Sequence, residues 1–187
     1  MFITQLILNM NNRENMQGYV DFGFFHSRLE SCFSGVREHP LWRLDNNIIL
    51  FLSKNKPNVP ESLGYAQTKL YDPRIPKGTV LTYKITANPV IKKEGRRIPL
   101  NIKRTINQQY CASDWIIDRV KKGGAKILSV HILSNEIRKA KRGKIKYQAT
   151  TFEGQLVVED SALFYDTLLN GIGHEKAYGC GLLLVKA

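Results

Sequence analysis

The N-terminal stretch "FITQLILN" alternates apolar and polar positions closely enough to predict a strand. The polar run "NMNNREN" that follows reads as a turn. From Asp21 the period changes. Phe22, Phe25, Leu29, Cys32, Phe33 and Val36 recur at steps of three and four, which is one face of a helix. Asp21 stands where an N-cap carboxylate belongs, and Gly35 lies near the helix end. "PLWRLDNNIILFLS" holds two apolar runs around Asp45, Asn46 and Asn47, a hairpin turn signal. The loop "KNKPNVPES" leads to a short segment, weakly written as a second helix, and then to a strand near residues 65–71. The first pass is therefore β-α-β-β-(α)-β.

The order then repeats. "TVLTYKITANPV" predicts a strand and "KKEGRRIPLNIKR" a basic connection. Residues 108–122 carry Trp115, Ile116, Arg119 and Val120 at helical spacing. "AKILSVHIL" predicts a strand, and Arg142, Gly143 and Lys144 a basic turn running into the next one. "EDSALFYDTLLNG" reads as a helix with Asp160 or Ser161 near its N-cap and Gly171 at its C-cap, and "AYGCGLLLV" as the closing strand. Two such passes predict an α+β chain of tandem ferredoxin-like (RRM-like, βαββαβ) domains, residues 1–75 and 76–187.

Charge adds the first functional information. Lys and Arg number 28 against 16 Asp and Glu, a net +12. Residues 67–150 hold twenty of the cations and only five of the acids, a balance of +15, while the remainder carries −3. A field segregated in this way fits a polyanionic partner better than a surface tuned for solubility. Two clusters concentrate it. One is Lys92, Lys93, Arg96, Arg97, Lys103 and Arg104; the other is Arg138, Lys139, Lys141, Arg142, Lys144 and Lys146. Either could be a solvated loop, or a surface that grips phosphates in a salt-sensitive way. No RNP1-like string is present, so base stacking on a sheet face is not expected. No apolar run approaches a membrane span, and "MFITQLILN" lacks the basic start and small-residue site of a signal peptide. Cys32, Cys111 and Cys180 are odd in number and far apart, which points to a reduced, cytoplasmic protein without a disulfide or zinc framework.

The chemistry-bearing residues are few. No GxxxxGK[ST], GxSxG or HExxH occurs, and no carboxylate cluster asks for two divalent metals. A nuclease built this way would act without metal or other cofactor. RNA allows that, because its own 2′-OH can attack the adjacent phosphate; DNA has no such route. The reaction needs a base, an acid and a cation facing the pentacoordinate transition state. His26, beside the apolar face of the first helix, is either a packed ring or that acid–base group. His39 reads as an exposed residue before a strand, and His131 as a structural residue inside one. His174 rivals His26, and no spacing among the four histidines resembles a metal site. Around His174, "GIGHEKAYGCGLLLV" crowds Gly171, Gly173, Gly179 and Gly181 about Lys176. That loop is either a helix cap with a bulged strand start or a backbone cradle for phosphate.

Taken in order, "MFITQLIL", "FHSRLESCF", "LWRL", "LTYKITANPV", "RRIPL", "GKIKYQATTFEGQLVV" and "GIGHEKAYGCGLL" resemble the CasE family of CRISPR-repeat endoribonucleases from type I-E Cascade. The resemblance implies tandem ferredoxin-like domains and recognition of the repeat hairpin in precursor CRISPR RNA. It also implies cleavage at the 3′ base of the stem, and retention of the product beside other Cascade subunits. By its place in H-x-x-L-x-x-x-F, His26 matches the family's catalytic histidine, with Leu29 and Phe33 completing the pattern. The loop holding Gly171, Gly173 and Gly179 matches the RNA-contacting loop, and the segment Arg138 to Lys146 the region that grips the stem. Some members place a tyrosine one turn before the histidine, where this chain has Gly23. Tyr19 and Tyr178 are candidates to replace it, and Lys176 and Lys144 candidates for charge stabilisation.

Overall fold

A computed structural model describes all residues, 1–187. β1 (Phe2–Leu8) is followed by two short helices, α1 (Arg13–Val20) and α2 (Phe22–Glu30). Then come β2 (Leu41–Asp45), β3 (Ile48–Ser53) and β4 (Gly64–Leu70). All pairings are antiparallel and the order is β2-β3-β1-β4, the ferredoxin-like order read from its far edge. The second sheet takes β5 (Val80–Ala87), β8 (Ala125–Ala140), β9 (Ile145–Val158) and β10 (Leu183–Lys186) in the order β10-β5-β9-β8. Helices α3 (Ala112–Lys122) and α4 (Ser161–Asn170) precede β8 and β10. The two sheets share one topology, so the fold is the expected tandem ferredoxin-like arrangement.

Several local expectations are corrected. The "NMNNREN" turn is confined to residues 9–12; its last three residues already belong to α1, which Asn12 caps by accepting from the Glu14 N–H at 3.0 Å. The second helix expected in the first pass does not form: the chain runs from β3 to β4 through bends and turns, with Pro57 and Pro60 in its path. α2 stops at Glu30; Cys32 and Phe33 are buried beyond its end, while Val36 is exposed. The basic connection contains a separate two-stranded ribbon, β6 (Val90–Lys93) and β7 (Arg96–Pro99). Glu94 and Gly95 turn it with φ of 50° and 78°, the positive angles a two-residue hairpin demands. The closing strand starts only at Leu183, the preceding "KAY" being a single 3-10 turn. His131 is exposed on β8 rather than held in a core.

The β8–β9 hairpin positions the site. Its strands of 16 and 14 residues are far longer than their sheet requires. Two register shifts, between Ile127 and Ser129 and between Ile132 and Ser134, re-aim β8 on the way out. The overhanging end then delivers Ala140, Tyr147 and Ala149 into the core of the first sheet, among Phe22, Phe25, Leu29, Trp42 and Phe51. The second sheet has its own core, built by α3, α4 and the inner faces of β5 and β9. No helix is long and apolar enough to cross a membrane.

Candidate active site

His26 lies one turn into α2, beside the buried stripe of Phe22, Phe25 and Leu29. The helix starts where it does because the Asp21 carboxylate accepts from the Gly23 N–H at 2.8 Å. The other Asp21 oxygen accepts from the Arg142 N–H at 2.5 Å, at the tip of the β8–β9 hairpin. Lys141, Arg142 and Gly143 all take positive φ there, which curls the tip back onto the helix start. A Cβ at position 23 would lie 2.9 Å from Asp21 Oδ1 and 3.1 Å from the Lys141 nitrogen. The space one turn before His26 is therefore filled by a cationic hairpin rather than by a tyrosine.

The imidazole is largely enclosed. Its ring meets Tyr178 edge-on at 6.0 Å and stacks beside His39 at 6.3 Å. Nε2 is 3.5 Å from Glu30 Oε2, one turn along the same helix. Nδ1 is buried and has no partner, so Nε2 is the nitrogen a substrate can meet. Burial lowers the His26 pKa below the ordinary imidazole value; His39 and Lys141 push the same way and Glu30 opposes them.

His26 opens into a basin of about 400 Å³ that also exposes His39, Lys54, Asn170, Lys176 and Ala177. Lys176 comes from the glycine loop, 150 positions away along the chain. Its ammonium donates to the Asn170 carbonyl at 2.7 Å, and partial burial lowers its pKa. The loop is pinned at the seam of the two sheets. The Trp42 indole N–H donates to Ala177 O at 3.1 Å, the Tyr147 hydroxyl to Tyr178 O at 2.7 Å, and the Gly181 N–H to Thr86 O at 2.7 Å. The glycines are explained by that packing. A Cβ on Gly171 would meet the Leu41 side chain at 2.7 Å, and one on Gly179 the Trp42 ring at 3.1 Å, both at positive φ. The N–H groups of Gly171 and Gly179 donate to Thr167 and Lys176 carbonyls, which leaves neither for a phosphate.

The other expected residues divide between free and committed groups. Tyr19 points away from the basin, its hydroxyl donating to Asn46 O at 2.8 Å. Tyr178 is buried against His26 and Tyr147, as a wall of the site. Arg138 folds inward, over the Phe22 ring at 4.3 Å and onto Glu136 at 2.6 Å. Arg104 is held by Asp114 at 2.6 Å, and that guanidinium keeps the Asp114 carboxyl well below the usual carboxylate range. Lys92, Lys93, Arg96 and Lys103 are exposed, as are Lys139, Lys141, Arg142, Lys144 and Lys146. Cations face each other directly across the ribbons: Lys92 opposite Arg97, Lys93 opposite Arg96, Lys139 opposite Lys146. Like charges in those positions cost stability unless an anion lies between them.

His174 stands apart from His26. It lines a separate groove of about 810 Å³ with Lys92, Arg97, Tyr110, Arg119 and Lys122. Burial lowers its pKa first, and Arg97 and Arg119 lower it further. Arg97 also reaches Glu175 at 3.6 Å. The glycine loop is thus a partition, with His174 on one side and Lys176 on the other.

The family model described as CRISPR associated protein matches residues 1–187. This chain belongs to that family. It is 29% identical to the CRISPR-associated endoribonuclease Cse3 of Thermus thermophilus, over 215 aligned positions that cover 99% of both chains. It is 31% identical to the CRISPR system Cascade subunit CasE of Escherichia coli over 127 positions, 63% of each. It superposes with a TM-score of 0.88 on a solved structure of the endoribonuclease Cse3 bound to 19 nt RNA, at 28% identity, covering 100% of this chain and 98% of that one.

Sequence reading missed some of the residues around His26. Glu30 was legible in principle, because a carboxylate four residues after His26 shares its helix face. Lys54 and His39 were not: they line one basin with His26 only because the fold brings the end of β3 and the chain before β2 to it. No spacing in the sequence brings them together, yet donor atoms of His26, Glu30 and His39 lie within 4.8 Å of one another.

Proposed function

We propose that this chain is the endoribonuclease that matures CRISPR RNA. In this reading it binds the repeat hairpin of the precursor and cuts at the 3′ base of the stem without a metal. It then keeps the product within a Cascade complex, in contact with other subunits. The observation that carries the proposal is the basin in which α2 presents His26 Nε2 and the glycine loop presents Lys176. The relatives named above, one an endoribonuclease and one a Cascade subunit, support it. Residues 1–75 supply the histidine, and residues 76–187 supply the loop and both cationic ribbons. The three cysteines are free and buried, which suits the reducing cytoplasm.

The chemistry follows from the geometry. A pKa lowered by burial keeps His26 neutral at physiological pH, so Nε2 has a lone pair for the 2′-OH proton. The 2′-oxygen attacks the adjacent phosphorus, and the bond to the 5′-oxygen breaks. Lys176 faces the negative charge that builds on the phosphoryl oxygens. The leaving 5′-oxygen gains a proton from the ammonium or from water, giving a 2′,3′-cyclic phosphate and a 5′-hydroxyl. Lys92, Lys93, Arg96, Arg97 and Lys103 on one side, and Lys139, Lys141, Arg142, Lys144 and Lys146 on the other, track the backbone. Tyr19, Arg104 and Arg138 serve structure, and Gly171 and Gly179 serve packing.

The test is cleavage of the repeat RNA in EDTA. Wild-type protein should cut, His26→Ala should be slower by about 100-fold or more, and a single 2′-deoxy nucleotide at the cut should block the reaction. Lys176→Arg should retain more rate than Lys176→Ala. A rate that needs Mg²⁺ refutes the mechanism. Gly23, where some members carry tyrosine, favours a second reading, a hairpin-binding subunit that does not cut. That reading predicts tight, salt-dependent binding with no product under any of these conditions.

A further inference from the structure

We propose that His26, Glu30 and His39 form an inhibitory site for a zinc-like divalent cation. The donors are His26 Nε2, the Glu30 carboxylate and His39 Nδ1, all mutually within 4.8 Å. Nε2 is 3.5 Å from Glu30 Oε2, and His39 Nδ1 is 2.7 Å from Glu30 Oε1. A tetrahedral zinc with ligand bonds near 2.1 Å holds its ligand atoms roughly 3.4 Å apart. The His26–Glu30 edge has that length through Oε2, while His39 faces Oε1, so the carboxylate must turn or bind through both oxygens to serve both rings. The His39 edge needs only a small outward shift of a ring that is exposed and sits on the chain leading into β2. His26 and Glu30 are one turn apart on α2, so both point the same way without strain.

Ligand chemistry selects the ion. Two imidazole nitrogens and one carboxylate suit zinc and other late first-row metals; magnesium and calcium require more oxygen donors in a larger shell. The exposed side of the cluster leaves a fourth position for water. Lys54, Lys176 and Glu38 line the same basin and Lys141 lies near, so the cations beside the cluster outnumber the one further carboxylate and weaken its hold on a metal.

The consequence rests on the proposed role of His26, but the binding does not. Nδ1 of His26 is buried, so a metal must take Nε2, the atom that would accept the 2′-OH proton. Metal occupancy and cleavage then exclude each other. In this reading the chain needs no metal to work and loses activity when zinc is abundant.

Calorimetric titration of chelator-stripped full-length protein with ZnCl₂, without RNA, tests the site directly. One equivalent should bind, Mg²⁺ should give no signal, and His39→Ala and Glu30→Gln should each weaken binding by about tenfold or more. Cobalt(II) titrated in the same way should develop the visible bands of a tetrahedral nitrogen–oxygen site in wild type and lose them in both variants. In a cleavage assay, zinc should slow wild-type protein and EDTA should restore it. His39→Ala, compared with its own rate in EDTA, should resist zinc. Failure to bind zinc, or binding indifferent to both substitutions, overturns the site. Zinc bound at these residues with no effect on cleavage overturns the inhibitory assignment. Wild-type protein that binds zinc but never cuts RNA in EDTA overturns the nuclease reading instead.

Discussion

Asp21 joins the two halves of the site, and Asp21→Ala measures what that joint contributes. One oxygen caps α2 through the Gly23 N–H at 2.8 Å, and the other holds the Arg142 N–H at 2.5 Å. Loss of an N-cap costs about 1 kcal/mol. A hydrogen bond to a charged acceptor contributes about 1.5–3 kcal/mol when buried, and the lower end applies at this exposed tip. The sum is about 2.5 kcal/mol, which for a chain of this size lowers Tm by roughly 5–10 °C. Asp21→Asn keeps one good acceptor and should lose about half as much. Thermal unfolding followed by circular dichroism provides the stability comparison. Cleavage in EDTA adds a functional one, because the freed hairpin no longer holds Lys141 against the start of the His26 helix. An alanine variant within about 0.5 kcal/mol of wild type, or an asparagine variant as damaged as alanine, would refute the two-bond account.

Three further outcomes follow from single features. Gly179→Ala puts a Cβ 3.1 Å from the Trp42 ring at a φ of 80°; a loss of about 1–3 kcal/mol is expected in urea unfolding. Lys93→Gln with Arg96→Gln removes one of the opposed cation pairs, so stability should rise by a few tenths of a kcal/mol while RNA binding weakens. The slope of log affinity against log salt should fall by about 0.7–0.9 for each phosphate no longer neutralised. Burial pushes the Cys32 thiol up to about 11 and Cys180 up to about 12. Thiolates therefore form more readily in the unfolded chain, and the stabilising difference is complete below the ordinary thiol value of 9.0. Urea midpoints should hold steady from pH 7 to about 8.5 and fall as pH rises toward about 11. Iodoacetamide at pH 8 should label the folded protein slowly and the unfolded one fast.

Local rules carried much of the fold. Asp21 before an apolar stripe wrote α2 and its cap, Asn46 and Asn47 wrote the β2–β3 turn, and Asp160 and Gly171 bounded α4. These are short-range signals, in which a side chain satisfies backbone groups a few positions away. The elements that went unread lacked such a signal or had a misleading one. α1 is polar over most of its length and is held by its Asn12 cap and by Asn15, which donates to the Asn9 and Leu63 carbonyls. The β6–β7 ribbon hid inside a charge run, because a solvated two-stranded ribbon need not alternate apolar and polar residues. β8 and β9 overrun their sheet because their far ends are buried by another one, a fact absent from either strand's own sequence.

The site divides along the same line. The order of residues set which groups were available: an imidazole on a helix flank, a lysine in a glycine loop, and cations gathered in one stretch of chain. Which of them meet was settled by the packing of the two sheets. It gathered Lys176, Lys54 and His39 around the basin of His26, sent His174 into a different groove, turned Arg138 inward, tied the exposed Arg104 to Asp114, and gave Gly171 and Gly179 a packing role. The physical reason is range. Capping and periodicity act over one turn of backbone, whereas the meeting of residues 26 and 176 depends on two sheets docking across a seam closed by Trp42, Tyr147 and Thr86.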